Sequence, residues 1–519
     1  MFSTGSSGTH IMKHTALRFV LILFCVAALT AASLLFAQPA HAANIPVTNT
    51  LDAGAGPLRQ VVIDAADGDT IVFDSSVFSV PLTITLFSGQ IEITKVLSID
   101  GAYGGVVTPT LDGNNASRIL LFKAYDYKSV SHLRIINGYC GSYDYSCTGA
   151  GINSNGVLTV NDTIFENNHS LSMGGALGSN YGALYVNRCM FVNNTSYYGG
   201  GGIYINSDRY WPSTIDNSIF IANSGSDGGG FLNFGFASIN DSQFYSNIGA
   251  DGGGIENYGV LTVTSSLFVN NTAISRGGGI YNEDWLVVVN SIFRSNSAAM
   301  QGGGIGSFDH LFVFGSEFVG NQAQKGGGLW SGVRMDISDV TIHGNHAITG
   351  GAIQSNFSTF NMTNTTVYSN TANRFGGIAN DGYLNAVNST LVGNGAGDIG
   401  ILTGGSARFI NSIISTCSNN SSTPIVDGGH NIDAGNTCGF TGAASLTNTN
   451  PLLGALGFHE GLVPTLPLLI GSPAIDAGDD TACPATDARG IHRPIGPHCD
   501  IGAYEALHRY WWMPVMRRE

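Results

Sequence analysis

Charged residues are scarce in this chain. Asp, Glu, Lys and Arg together make up 11% of its 519 residues. Of these, 36 are acidic and 21 basic, for a formal net charge of −15. Such a balance argues against nucleic acid and against anionic membrane surfaces, which both call for clustered Lys and Arg. Helix-length apolar stripes with caps are missing, which disfavours helical repeats. The leucine-rich pattern is missing too, and no CxxC or His/Cys spacing suggests zinc. One stretch alone, Phe19 to Phe36, approaches the length of a membrane span.

Glycine is abundant, with 71 residues, and it falls at a fixed period. From Gly149 to about Asn394 one pattern recurs ten times: glycines, an aliphatic anchor, a polar and aromatic stretch, alternating apolar residues, then Phe (Ile342, Val367 and Leu391 in the last three copies) three residues before Asn. The anchors are Ile152, Leu177, Ile203, Phe231, Ile255, Ile280, Ile305, Leu329, Ile353 and Ile378, spaced by 25, 26, 28, 24, 25, 25, 24, 24 and 25 residues. The asparagines keep step as Asn168, Asn194, Asn223, Asn247, Asn271, Asn296, Asn321, Asn345, Asn370 and Asn394. A fixed period of this size denotes a repeat architecture. Short β-rich runs such as Leu261-Thr262-Val263-Thr264, bounded by Gly and Asn, read as strands and turns. The expected fold is an all-β solenoid, a single-stranded parallel β-helix of about 25 residues per turn over residues 117–416.

In such a coil stacked turns lie about 4.8 Å apart, so equivalent side chains form ladders. Each repeat buries its apolar faces against its neighbours alone. The repeated Asn is expected at a bend, laddering its amides while tolerating left-handed backbone. The glycines allow positive φ at the tight corner and leave no side chain to strike the turn above.

Outside the repeats, residues 1–11 look foreign and are expected to be an upstream extension or tag. Residues 12–42 read as a secretory signal: Lys13 and Arg18, then the apolar run, then Ala40-His41-Ala42 as a cleavage site. A membrane anchor is the competing reading of the same run. Residues 43–116 are expected to form an N-terminal cap, with Leu58, Val61, Val62 and Ala65 on one helical face, followed by irregular first turns. Residues 417–505 are expected to form a loop-rich C-terminal cap, and 506–519 a short tail. Of the eight cysteines, Cys25 leaves with the signal. Cys140/Cys147, Cys417/Cys438 and Cys483/Cys499 are close enough to pair locally in an oxidising compartment. Cys189, two residues before Phe191, reads as a buried thiol.

The double motif, GG[A/G][I/L] plus FxxN, resembles the repeats of chlamydial polymorphic outer membrane proteins, which are surface adhesins. Those proteins end in a translocating β-barrel, a pattern not expected of the stretch after Asn394. The C-terminal run Gly471-Ser472-Pro473-Ala474-Ile475-Asp476-Ala477-Gly478, with Thr486 to Gly490 and Cys499-Asp500-Ile501-Gly502-Ala503-Tyr504-Glu505, resembles the end of the choice-of-anchor Q family. Those are secreted bacterial right-handed β-helix proteins. The resemblance implies a right-handed coil and a secreted or cell-surface protein, and right-handed crossovers are the general preference.

The chemistry is less definite. A polysaccharide lyase or glycoside hydrolase on this fold would need carboxylates gathered on one face. Glu256, Glu283, Asp284 and Asp309 come closest, with Arg276, Lys325 and His310 nearby, although scattered solvated charges explain them equally. Asp227-Gly228-Gly229 and Asp251-Gly252-Gly253 are similar to calcium-binding nonapeptide repeats, but the period differs and most copies lack the Asp. No cofactor or metal is expected, with Ca2+ the one conceivable ion. Asp476, Asp487, Arg489 and Asp500 read either as a site or as groups that satisfy one another in a cap. Trp211, Tyr258, Trp285, Phe308 and Trp330 lie in the post-glycine stretch. Aromatic rings stacked turn on turn suit carbohydrate or protein binding, and inward packing is the alternative. The expected protein is a monomeric extracellular binding rod, an adhesin whose partner is a glycan or a host or neighbour-cell surface protein. A polysaccharide-active enzyme and a passive spacer are the other two readings.

Overall fold

The computed structural model describes residues 42–507, except 103, 105–107, 208–209 and 358. The extension 1–11, the signal segment up to residue 41, Cys25 and residues 508–519 lie outside the described residues.

Each repeat lays down one turn of a parallel β-solenoid. The turn that begins at Ile255 shows the order. Ile255–Asn257 belongs to a first sheet of 14 strands, Val260–Thr264 to a second of 16, and Leu267–Val269 to a third of 16. Thr272–Arg276 belongs to a fourth, six-stranded sheet that runs from Ile248–Asp251 to Thr371–Arg374. Strands pair in parallel with the next copy: Ile255 opposite Ile280, Leu261 opposite Leu286, Phe268 opposite Phe293. The coil continues past residue 416, since Cys417–Asn419, Val426–Asp427 and Ile432–Asp433 still extend the three long sheets.

Because the register is in step, like stacks on like. Phe165, Phe191, Phe220, Phe244, Phe268, Phe293 and Phe318 form a column of buried rings with centroids 4.5–4.9 Å apart and planes within 8°. Ile342, Val367 and Leu391 continue it inside the same core. The asparagines form a second column. Each Nδ2 donates to the Oδ1 of the next at 2.9–3.0 Å, from Asn168 to Asn394. The last bond of that run passes to Asp398 Oδ1 at 2.8 Å. Each amide also donates to a carbonyl of the apolar column one turn back, as Asn271 does to Phe244 at 2.9 Å and Asn370 to Ile342 at 2.8 Å. Left-handed backbone, expected at these asparagines, belongs instead to the residue before them: Asn167, Asn193 and Asn270 have φ of 56°, 52° and 57°. The bend is made one residue earlier, and the ladder Asn itself is buried with its amide turned inward.

A serine column runs beside the third sheet and was not foreseen. Ser218, Ser242, Ser266 and Ser291 each donate a backbone N–H to the next hydroxyl at 3.0–3.2 Å. At the opposite corner Gly252 has φ +59°, and a Cβ there would lie 2.1 Å from the Ile255 carbonyl oxygen. Gly253 sits so close under the next turn that a Cβ would lie 2.4 Å from the Gly278 oxygen. Those two contacts fix the glycine doublet.

Near the N-terminus, helix Leu58–Asp64 buries Leu58, Val61 and Val62 in the main core. Arg59 ties it to the coil through Asp52 and the carbonyls of Gly89 and Gln90. The C-terminal stretch lies along the flank of successive turns. It is bonded at Thr341 to Pro464, at Asn364 to Thr486, at Asn388 to Asp500 and at Asn411 to Asp479. Leu466, Leu468, Ala474 and Ile501 form a small core there with Val392, Ile413 and Ile432. Disulfides join Cys140–Cys147, Cys417–Cys438 and Cys483–Cys499, and Cys189 is a buried free thiol. Among the described residues no helix is long and apolar enough to cross a membrane.

Replacing one ladder Asn leaves buried donors and acceptors above and below without partners. Asn271→Ala is expected to lower stability by about 2–4 kcal/mol in urea unfolding. Asn361→Ala, on the outer face of the second sheet, is expected to cost under about 1 kcal/mol. Equal effects would show that the ladder contributes nothing beyond surface polarity.

Candidate functional site

In a strand, successive side chains point to opposite faces. The strands of the second sheet obey this visibly: in Val260–Thr264, Leu261 and Val263 are buried and their neighbours are not. The first sheet departs from it, since all three residues of Ile255–Asn257 are buried, and the same holds for Ile280–Asn282 and Leu329–Ser331. The middle residue of each strand faces outward and is nevertheless covered. It forms the floor of a groove that runs along the coil.

One wall is the residue just before each glycine doublet. Asp227, Asp251, Arg276, Gln301 and Lys325 stand in register there, one per turn. The other wall is the residue just after each first-sheet strand: Phe234, Tyr258, Glu283 and Phe308. Their backbone N–H groups bond to carbonyls one turn back, which holds them in line. The floor carries Tyr204, Leu232, Glu256, Tyr281, Gly306, Trp330 and Gln354, as the strand register requires. Toward the N-terminal end the groove opens into a cavity of about 420 Å³ lined by Tyr145, Met173, Tyr181, Tyr204, Asn206 and Phe234.

Charge gathers at the middle. Arg276 is bonded to Asp251 at 2.9 and 3.1 Å, donates to the Tyr281 hydroxyl, and its guanidinium lies 4.1 Å over the Tyr281 ring. Tyr281 donates to Glu283 Oε1 at 2.6 Å. One turn earlier, Glu256 is 1% exposed. Burial, and after it the nearby Asp227 charge, pushes its carboxyl up to about 8, against a bond from Tyr258 that favours ionisation. Asp227 is raised as well, by burial and then by Asp251. Burial also raises the Tyr258 and Tyr281 phenols, helped by Glu256 beside the first and Glu283 beside the second. Three buried polar atoms on the floor have no hydrogen-bond partner: Glu256 Oε2, Trp330 Nε1 and Gln354 Oε1.

The groove brings together some of the expected residues and separates others. Glu256 and Glu283 lie along it on adjacent turns, and Tyr258, Phe308 and Trp330 line it as well. Asp284 and Asp309 do not join them. Asp284 is exposed at the turn that follows, and Asp309 pairs with His310. Trp285 lies on the outer face of the second sheet, stacked at 5.0 Å on His310 and at 4.8 Å on Phe312. Trp211 is in the longer loop before the second-sheet strand Ser213–Asp216 and is 41% exposed. Tyr204, Tyr281 and Gln354 were missed as floor residues, although each follows an aliphatic anchor directly. Among the described residues no three His, Cys, Asp or Glu groups are arranged to hold a metal ion, and Asp251 is already occupied by Arg276.

The C-terminal polar cluster is mostly bonded within itself, with Arg493 Nε left over. Arg489 pairs with Asp487 at 2.6 Å and Arg493 with Glu505 at 3.2 Å, all four buried. Asp500 accepts backbone N–H groups from Asp476 and Ala506 at 2.7 and 2.6 Å.

Comparison with known proteins adds a repeat. Residues 188–206 and 265–283 match the Chlamydia polymorphic membrane protein repeat. The matched stretches span the Phe/Asn corner and the glycine corner, and they include Tyr204, Arg276, Tyr281 and Glu283. No curated protein sequence matches the chain. Among solved structures it is similar to pectate lyase Pel9A, at 13% identity and a TM-score of 0.28, over 90% of this chain and 96% of that one. It is also similar to the PL6 family alginate lyase AlyGC, at 10% identity and a TM-score of 0.23, over 75% of this chain and 84% of that one.

Glu256 supplies a pH test. Its folded value of about 8 lies above the ordinary 4.5. The stability it contributes is therefore fully present below about pH 4.5 and is lost as pH rises through about 8, because the folded chain holds the extra proton in between. Glu256→Gln stays neutral throughout. Its melting temperature relative to the parent is expected to rise between about pH 5 and about pH 8.5 in calorimetry. A difference independent of pH would mean that Glu256 ionises as an ordinary carboxylate.

Proposed function

We propose that this protein is an extracellular, surface-associated binding rod whose groove holds an extended carbohydrate chain. One observation carries the reading: aromatic rings and unpartnered buried polar atoms share a single groove over successive turns. Glu256 Oε2, the Trp330 indole N–H and the Gln354 side-chain oxygen lack partners, and buried polar groups normally have them. A polyhydroxylated chain lying along the groove supplies such partners, while Tyr258 and Phe308 on the wall offer ring faces to sugars above the buried Tyr204 and Trp330. The resemblance to adhesin repeats and the three disulfides support a surface or secreted location. We take the coil to be right-handed and the protein to act as a monomer, with the expected signal removed before Ala43.

The aromatic residues fall on two faces, and this reading assigns the ligand to one of them. Trp285 and His310 on the second sheet are taken as surface packing, whereas Tyr258 and Trp330 are taken as contacts.

The test is retention of plant, algal and microbial polysaccharides by the chain from Ala43, with and without calcium, scored also for newly formed chain ends. Retention without new ends is expected, and Tyr258→Ala with Trp330→Ala should weaken it by about tenfold or more. Trp285→Ala should leave it unchanged. New chain ends would instead establish a polysaccharide-cleaving enzyme, and neither ends nor retention would leave a protein-directed adhesin or a spacer.

A further inference from the structure

We propose that the middle of the groove is an ammonium subsite, and that the bound carbohydrate is a glycan with free amino groups. This inference rests on the groove being a glycan site. It starts from two adjacent turns that carry the same three groups in opposite order. One reads Glu256-Asn257-Tyr258 and the next Tyr281-Asn282-Glu283. In both, an acid and a tyrosine flank an inward Asn, and an Asp stands on the facing wall. Asp227 is the acid that acts most on Glu256 in the first turn, and Asp251 acts on Tyr281 in the second.

The second turn contains its cation. Arg276 is bonded to Asp251, lies 4.1 Å over the Tyr281 ring and is 3.7 Å from Glu283. The first turn has the same surroundings and no such cation. Its Glu256 side chain is buried with Oε2 unpartnered. Tyr258 is stacked on Phe234 with ring centroids 4.7 Å apart, which sets aromatic surface beside that carboxyl. Over the two turns four carboxylates, Asp227, Asp251, Glu256 and Glu283, surround the single guanidinium of Arg276. Isolated buried carboxylates are costly, and burial, then the neighbouring carboxylates, raises both Glu256 and Asp227 more than Arg276 offsets.

An ammonium fits this place. It has three donors to share between Glu256 and Asp227, and a cation beside an aromatic face gains further when desolvated. A uronate or sulfated sugar would set anion against anion here. A basic peptide is the less favoured source of the ammonium. Extended peptides commonly dock by adding to a free sheet edge, but the backbone of the first sheet is already paired on both sides by neighbouring turns. The groove offers side chains alone, spaced one per turn at about 4.8 Å.

Calorimetric titration of the chain from Ala43 at about pH 6, where the ammonium must displace the proton that burial keeps on Glu256, tests this with four probes: a glucosamine hexamer, its fully N-acetylated counterpart, a galacturonate hexamer and a lysine hexapeptide. The glucosamine hexamer is expected to bind at least about tenfold more tightly than the other three. Glu256→Gln and Asp227→Asn should each lower that affinity about tenfold, with circular dichroism unchanged. If either variant fails to fold, Tyr258→Leu, which keeps the carboxylates and removes the ring, is expected to weaken binding of the amino glycan in its place. Equal binding of the N-acetylated or uronate probe would overturn the ammonium subsite while leaving a glycan groove. Tighter binding of the lysine peptide would overturn it in favour of a basic protein ligand. Binding of none of the four, together with no retention of any polysaccharide, would overturn both readings.

Discussion

Turns that stack one hydrogen bond apart leave each interior position a single kind of neighbour, namely itself. At about 4.8 Å between turns, a side chain at the Phe268 position meets Phe244 below and Phe293 above, and all three must suit one another. Apolar groups solve this by stacking, as those rings do. A polar group solves it by carrying both a donor and an acceptor, so that one turn's need is met by the next. The amide of Asn271 accepts from Asn247 and donates to Asn296. A Leu at that position would break the chain of bonds in both directions, and an Asp would still accept, as Asp398 does from Asn394, but would donate nothing onward. The same constraint explains why the second glycine of each corner tolerates no Cβ, because the next turn's backbone already occupies the space.

Freedom is left where side chains point away from the coil, and on most of the surface it yields solvated polar residues. The groove is the exception. Its floor is outward-facing by register and buried by its walls, so a polar residue there loses water without gaining a ladder partner. Glu256, Trp330 and Gln354 each leave an atom unpaired for that reason. In a chain with only 11% charged residues, five charged groups meet in this short stretch.

The interior was legible because the period repeats it ten times, and each copy votes for the same inward positions. The groove was much less so, for a reason that lies in the offsets. Residues immediately after an aliphatic anchor, such as Glu256, Tyr281 and Trp330, form the floor. Those three residues after it, such as Tyr258, Glu283 and Phe308, form a wall. Those four or five after it, such as Asp284, Asp309 and Trp285, have already rounded the corner toward the second sheet. Grouping by nearness in sequence therefore mixed two faces, while grouping by offset separates them. The facing wall is harder still to read, because Asp227, Asp251 and Arg276 precede the glycines and belong to the end of the previous repeat. The asparagine bend was misplaced by one residue for a related reason: Asn167 and Asn168 are both asparagines, and the backbone assigns the strained conformation to the first.

The C-terminal stretch bears on the groove by where it is not. It binds the coil at Asn364, Asn388 and Asn411, which lie at the corner between the second and third sheets. The groove lies at the corner between the fourth sheet and the first. Its ion pairs, Arg489 with Asp487 and Arg493 with Glu505, are buried and turned on one another, so they offer little to a ligand and serve instead to hold a loop-rich segment against the coil. A segment of this length could have filled the groove and satisfied its orphaned polar atoms. It packs on another corner, and among the described residues those atoms are left without a partner.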